Sequence, residues 1–236
     1  MRPMLKPVRN EDLRTDGKPC SQCTVHLLAA PAGVPLLPLS AADQPRPLTL
    51  EPDTELYAEG SPGTTLYAVC RGMVKLTRRL PNGTQRIVRV LREGDVMGLE
   101  LLVDGHYHHT ASCLGHTTVC PASALTLQEM AQAQPERYTR LIQRWQGIVD
   151  EADFVITQLS TGGARGRVAR LLLHLTARSQ EGQCHSLTRE DMGALLGLTT
   201  ETTSRVMAAF KRDGAVRESR GRLQCDTQAL QPFANE

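Results

Sequence analysis

Between Ser186 and Asp226 the sequence admits little other than two short helices followed by a hairpin. Thr188-Arg189-Glu190-Asp191 reads as a helix start. A hydroxyl residue can cap the first free amides, and an acidic group three positions on can reach back to the cap. Met192, Leu195 and Leu196 supply a buried stripe, and Gly197 then breaks the helix. Thr199 or Thr200 can cap a second helix. Its inward face carries Thr203, Val206, Met207 and Phe210, while Glu201, Ser204, Arg205, Ala208 and Arg212 fall on the other side. Two short helices about a Gly-containing turn make a helix-turn-helix. After Gly214, the runs Ala215 to Glu218 and Arg222 to Asp226 flank Ser219-Arg220-Gly221, a hairpin with three arginines.

The outward face of the second helix has the chemistry for reading bases. Arginine matches the O6/N7 edge of guanine, and glutamate accepts from the cytosine amino group. Both Glu201 and Arg205 lie in the first turn and a half, the part of a recognition helix that reaches base edges. The hairpin around Arg220 suits phosphates. The plainer alternative is that Glu201 and Arg205 form an i, i+4 surface pair. The expected interface is Thr188, Thr200, Glu201, Ser204, Arg205 and Arg220.

A chain of 236 residues is long for one core and comfortable for two domains. The net charge of +2 divides unevenly: from Thr161 onward 11 Lys/Arg face 8 Asp/Glu, so the C-terminal third is mildly basic. Residues 1–47 form a proline-punctuated arm. From Leu48 to about 130, runs rich in Val, Leu, Ile and Thr alternate with turns such as Glu59-Gly60-Ser61-Pro62-Gly63 and Pro81-Asn82-Gly83, the pattern of an antiparallel β-barrel or sandwich. Over 135–160 a helical pattern follows. Leu141, Trp145, Ile148, Ala152, Val155 and Leu159 recur at separations of 4, 3, 4, 3 and 4, the narrow seam of a helix that pairs with a copy of itself; packing on its own barrel is the alternative. Thr161-Gly162-Gly163 ends that helix, and the DNA-binding unit spans 161–236. The expected class is α+β. No run of apolar residues reaches membrane length, the N-terminus has no apolar leader, and a cytoplasmic protein is expected. Nothing pairs a nucleophile with a base, so an enzyme is not expected.

Gly197-Leu198-Thr199-Thr200-Glu201-Thr202-Thr203-Ser204-Arg205 resembles the recognition segment of the FNR branch of the CRP/FNR transcription regulators. The resemblance extends through Leu66-Tyr67-Ala68-Val69 and Gly94-Asp95-Val96-Met97-Gly98 to most of the chain from Leu48. It implies a cyclic-nucleotide-binding-like β-barrel, a long dimerisation helix and a C-terminal winged helix-turn-helix. It also implies that a homodimer uses Glu201, Ser204 and Arg205 on double-stranded DNA bearing a TTGAT-N4-ATCAA palindrome, and that the loop Leu80 to Thr84 touches RNA polymerase. The family's cyclic AMP binders hold the phosphate with a barrel arginine. Here Gly98-Leu99-Glu100 is followed by His106-Tyr107-His108-His109-Thr110 with no arginine, so cyclic AMP is not the expected ligand.

Oxygen-sensing members carry a 4Fe-4S cluster on an N-terminal cysteine group and one distant cysteine in the barrel. The resemblance assigns Cys20, Cys23 and Cys120 to that set. A third N-terminal cysteine is missing, and a cluster of this type needs four ligands. If Thr110 to Leu114 and Thr118 to Ala122 form a hairpin turning at His116-Thr117, Cys113 faces Cys120 and becomes the first candidate for the fourth. His26 is the second. A thiol switch or a zinc-type site are alternatives for the cysteines. A regulator whose barrel takes haem, nitric oxide or another small effector is the alternative function, with His106, His108 and His109 as its support.

Overall fold

A computed structural model of the chain describes residues 14–15, 47–133, 135–177, 182–219 and 221–235. Cys20, Cys23, His26 and Arg220 lie outside the described residues, as does the side chain of Leu141. The chain divides into two compact units. One holds residues up to 78 together with 89–148, and the other holds 79–88 and 149–236.

Among the described residues nine strands precede the helices: β1 (Arg14–Thr15), β2 (Leu48–Leu50), β3 (Glu55–Tyr57), β4 (Thr65–Arg71), β5 (Met73–Arg79), β6 (Gln85–Arg92), β7 (Val96–Met97), β8 (Thr110–Cys113) and β9 (Thr117–Ser123). They form two sheets, with orders β1-β2-β9-β4-β7 and β3-β8-β5-β6. Alternation along the strands sends Leu66 and Ala68 of β4, Leu76 of β5 and Ala111 of β8 inward, and all four are buried.

Two corners decide the topology. Gly72 lies between β4 and β5, which belong to different sheets, and the chain turns there with φ +89°. A Cβ at this glycine would stand 2.7 Å from the carbonyl oxygen of His116, in the second corner between β8 and β9. Any side chain would force the two corners apart. Thr117 fastens the second corner by donating its hydroxyl to the carbonyl of Met73 at 3.0 Å.

The corner overturns the expected β8–β9 hairpin. Thr110–Cys113 pairs with β3 and β5, whereas Thr117–Ser123 pairs with β2 and β4. Cys113 stands opposite Val74, and Cys120 stands opposite Ala68. The two cysteines are therefore not a cross-strand pair. Val and Thr alternation marks a strand but does not say which sheet takes it, and the packing at Gly72 sends the two runs to different sheets.

After β9 come helices α1 (Ala124–Ala133) and α2 (Pro135–Phe154). Proline is tolerated at the first helical position of α2 because that amide has no partner in the helix anyway. α2 continues into a π turn over Val155–Leu159. Its exposed apolar side chains are Ile142 at 60 %, Trp145 at 38 %, Val149 at 49 % and Ile156 at 63 %. Ile148 and Val155 are half-buried, and Ala152 is exposed. Leu159 is 2 % exposed, which corrects its place in the expected seam. The physical reason is the π turn: its wider i→i+5 winding rotates the residues after Phe154 relative to an α-helix, and Leu159 is turned into the core. The outward stripe runs Ile142, Trp145, Val149, Ala152 and Ile156, again at separations of 3, 4, 3 and 4.

The second unit adds α3 (Ala164–Thr176), β10 (Gln183–His185), α4 (Arg189–Leu196), α5 (Thr200–Arg212), β11 (Val216–Ser219), β12 (Arg222–Cys225) and α6 (Thr227–Ala234). Val168, Leu171, Leu172 and Leu175 make the buried face of α3. The three strands form a sheet of order β10-β12-β11.

Candidate nucleic-acid interface

The interface is built on α4 and α5, and each has a capped start. Thr188 Oγ1 accepts from the amide of Asp191 at 3.0 Å and donates to the Asp191 carboxylate at 2.6 Å. The reciprocal bond expected of a capping box is thus made through the hydroxyl. Thr188 itself is exposed, with its hydroxyl committed to the cap. Thr199, rather than Thr200, caps α5, accepting from the amide of Thr202 at 3.1 Å.

The turn between them is fixed from both sides. Gly197 ends α4 in the left-handed conformation, and the amide of Leu198 donates to the carbonyl of Gly193 at 3.0 Å. A Cβ at Gly193 would come within 2.7 Å of the Leu198 carbonyl oxygen, so the close seat of α4 against the start of α5 requires a glycine there. Arg167 of α3 donates to the carbonyl of Leu196 at 2.9 Å and so satisfies one of the orphan acceptors at the end of α4.

α5 buries Thr203, Met207 and Phe210 and exposes Thr200, Glu201, Ser204, Arg205, Ala208, Lys211 and Arg212. Phe210 packs on Phe233 of α6 with ring centroids 5.4 Å apart, and the Arg165 guanidinium lies 3.9 Å above the Phe233 ring while pairing with Asp213 at 2.8 Å. The buried side of α5 is thereby locked. Among the described residues neither Glu201 nor Arg205 makes an ion pair or a side-chain hydrogen bond, so the surface pair that offered the plainer alternative is not formed. Both side chains stand on one exposed face with Ser204 between them.

The hairpin β11–β12 follows, with Glu218 opposite Leu223 and Ser219 opposite Arg222. Arg217 and Arg222 are exposed. Glu218 joins the hairpin to both helices: its carboxylate takes Lys211 at the end of α5, Arg189 at the start of α4 at 2.8 Å, and the Ser186 hydroxyl at 3.0 Å. The Lys211 bond and these neighbours hold its carboxyl below the usual carboxylate range. The sequence reading missed this residue. Its partners lie 7, 29 and 32 positions away, and only the folded chain brings them together.

The barrel residues singled out in the sequence are placed as follows. Cys113 and Cys120 are both fully buried. Burial pushes the Cys113 thiol up to about 11. Cys113 also stands in the other sheet, so the cross-strand pairing with Cys120 that made it the first candidate is not formed. Among the described residues no group of three or more His, Cys, Asp or Glu is placed to hold a metal ion. Two histidines of the 106–109 loop turn to Asp104 and the third to Glu100. His108 Nε2 lies 2.7 Å from Asp104, His106 Nδ1 lies 2.9 Å from the Asp104 carbonyl, and His109 faces Glu100 at 3.8 Å. Burial raises the Glu100 pKa, and the nearby His109 and backbone amides more than offset this, so the net shift is downward. Tyr57 stacks on Tyr107 with centroids 3.8 Å apart, and the buried Tyr57 hydroxyl has no partner among the described residues.

Two family descriptions match this chain, a cyclic nucleotide-binding domain over residues 47–134 and a Crp-like helix-turn-helix domain over residues 166–233. The chain is a CRP/FNR-family transcription regulator. It is 26 % identical over 203 residues to the fumarate and nitrate reduction regulatory protein of Escherichia coli K12, covering 83 % of this chain and 81 % of that one. It is 28 % identical over 183 residues to a CRP-like cAMP-activated global transcriptional regulator of Mycobacterium tuberculosis, covering 74 % and 82 %. Its fold is similar to that of FixK2 from Bradyrhizobium japonicum, with a TM-score of 0.73, 25 % identity and coverage of 80 % and 96 %. The relatives are regulators and not enzymes. In this CRP/FNR regulator the DNA-binding helix-turn-helix is the α4–α5 pair, which lies inside the matched 166–233 region. No helix among the described residues is long and apolar enough to cross a membrane.

Proposed function

We propose that this regulator binds, as a symmetric homodimer, an FNR-like palindrome of the TTGAT-N4-ATCAA type and does so in an oxygen- or redox-responsive way. The observation that carries the DNA half of the reading is the unengaged Glu201, Ser204 and Arg205 face on the first turn and a half of α5, presented by capped helices and a fixed turn. Arg220, between β11 and β12 in the sequence, and the exposed Arg217 and Arg222 are suited to phosphates. The stripe from Ile142 to Ile156 is the face through which the homodimer pairs, and a two-fold arrangement sets two α5 helices about one DNA turn, roughly 34 Å, apart. RNA polymerase is the further partner, met at Leu80 to Thr84.

The redox half rests on the sequence resemblance, with Cys20 and Cys23 in the arm and Cys120 in the barrel as ligands of a 4Fe-4S cluster. Without the Cys113–Cys120 cross-strand pairing, His26 becomes the first candidate for the fourth ligand of this reading and Cys113 the second. Such a cluster, when bound, would supply oxygen lability and tie the arm to the barrel. A small effector in the barrel is the second reading. Tyr57 favours it, because a buried hydroxyl without a partner is costly unless something else satisfies it.

The test is the affinity of anaerobically reconstituted protein for the palindrome and for a scrambled duplex, before and after exposure to air, with iron, sulfide and the visible spectrum recorded on the same samples. The reading predicts tight palindrome binding without oxygen, iron and sulfide present, and weaker binding after air. Cys20→Ser, Cys23→Ser and Cys120→Ser remove the iron. Palindrome binding that is indifferent to air, in protein that takes up no iron, overturns the redox half and leaves the DNA half standing.

A further inference from the structure

The π turn at the end of the long helix reaches α3 through Ser160-Thr161-Gly162-Gly163, a link that packing does not fix. All four residues are exposed, Gly162 lies in the left-handed region with φ +79°, and the space beside Gly163 is open. Adjacent glycines restrict a chain less than any other pair, so the angle at this joint has to be set by something else. One side chain spans it. Arg170 of α3 donates from Nε to the carbonyl of Gln158, in the π turn before the link, and from Nη2 to the carbonyl of Thr161, inside the link, both at 2.6 Å. Its remaining nitrogen, Nη1, donates to the carbonyl of Ala234 at the end of α6 at 2.7 Å. Carbonyls at helix ends lack a partner in their own helix, and a single guanidinium takes one from each of two such ends as well as one from the link. Gly166 leaves the seat for it: a Cβ there would stand 3.2 Å from Nη1 and 3.1 Å from the carbonyl oxygen of Phe233. One turn further along α3, His174 stacks on Phe154 with ring centroids 4.3 Å apart and lies 3.2 Å from Glu151, so the same face of α3 holds the end of the long helix twice.

We propose that Arg170 is a positioning residue that fixes the winged unit on the end of the long helix and thereby sets the half-site separation the regulator accepts, an inference that rests on the symmetric homodimer and palindrome proposed above. Val149, Ala152 and Ile156 of the outward stripe share a helix with the π turn, so the direction in which α5 points from the pairing face is decided at this joint. One base pair more or less between two half-sites moves the second by about 3.4 Å along the duplex and about 36° around it. A fixed joint meets one such placement, whereas a loose joint follows several and holds the best one less tightly. The planar fork of arginine gives three bonds their directions at once. A lysine ammonium is a point charge on a flexible stem and does not replace it. Half-site sequence remains the task of Glu201, Ser204 and Arg205, because Arg170 acts through the joint and not through the bases.

The experiment uses the full chain. Wild-type protein, Arg170→Ala and Arg170→Lys each select duplexes from a random pool, the bound sequences are read, and affinities are then measured for the selected repeat and for versions one base pair longer and shorter. The wild type should return an inverted repeat of one separation. Arg170→Ala should return the same half-sites at several separations, and its preference for the wild-type separation should fall by about tenfold, the effect of losing one hydrogen bond to a charged group. Arg170→Lys keeps the charge and the stem, serves as the variant if Arg170→Ala fails to fold, and should broaden the separations in the same direction. Hydrogen exchange without DNA reads the joint itself, and the amides of Thr161, Gly162 and Gly163 should exchange faster in both variants. A merely structural role would weaken binding at every separation alike, and that result, or a variant that keeps the single wild-type separation, overturns the role of Arg170. A wild type that returns no inverted repeat contradicts the palindrome reading and takes the spacing claim with it.

Discussion

Ile156→Ala and Leu159→Ala separate the two faces of the long helix. Ile156 is 63 % exposed and Leu159 is 2 % exposed, although they lie three residues apart. Truncating Ile156 removes three carbons, each worth about 0.8 kcal/mol when fully buried. If a partner covers the exposed fraction, the loss is about 1.5 kcal/mol per protomer and about 3 kcal/mol for a symmetric pair. That weakens dimerisation about a hundredfold, since every 1.4 kcal/mol is a factor of about ten. The folding of one chain should hardly change. Leu159→Ala does the reverse: it opens a cavity inside the second unit and costs about 2–5 kcal/mol of stability. Sedimentation velocity across a concentration series reads the first effect, and the thermal midpoint reads the second. A dimer constant unchanged in Ile156→Ala, with Leu159→Ala giving folded monomers of normal midpoint, would refute the stripe and restore the seam through Leu159.

Thr188→Ala removes the cap of α4 and should lower the stability of the winged unit by about 1 kcal/mol, read by denaturant unfolding, with Thr188→Asn recovering most of it. Glu218→Gln tests the carboxylate that binds the wing to both helices. Its folded pKa is lowered, so its stabilisation is fully present above the unfolded value near 4.5 and is lost as pH falls through the folded one. Wild-type protein should therefore lose stability below about pH 4.5, and the variant, lower at neutral pH, should show a flatter profile over that range.

The winged unit was legible because its signals are local. Thr188 with Asp191, Gly197, and the alternation of Thr203, Met207 and Phe210 with Glu201, Ser204 and Arg205 all act within a turn or two of themselves. The barrel was legible as a class but not as a topology. Nothing in the Thr110 to Ala122 run states that β8 and β9 join different sheets, because that choice is made by Gly72 against His116, some forty residues apart in sequence. The helix seam is ambiguous in the sequence for a similar reason. Separations of 3 and 4 fit both Leu141-Trp145-Ile148 and Ile142-Trp145-Val149, and the fold buries Leu159 after the π turn while leaving Ile142, Val149 and Ile156 exposed. Glu218 carried no signal at all, since a lone glutamate in a wing strand acquires meaning only when Arg189, Lys211 and Ser186 arrive.

The central claim is that the exposed face of α5 reads base sequence, and fluorescence anisotropy with Arg205→Ala on the palindrome and on a scrambled duplex at one fixed salt concentration tests it most directly. Arg205 is exposed and unengaged, so its removal should leave folding intact. The account predicts a loss of about 1–3 kcal/mol on the palindrome, roughly 5- to 150-fold in affinity, and little change on the scrambled duplex, because a bidentate base contact carries specificity while phosphate contacts do not. Arg220→Ala should weaken both duplexes alike. Equal losses on the two duplexes in Arg205→Ala would contradict the assignment of α5 as the recognition helix.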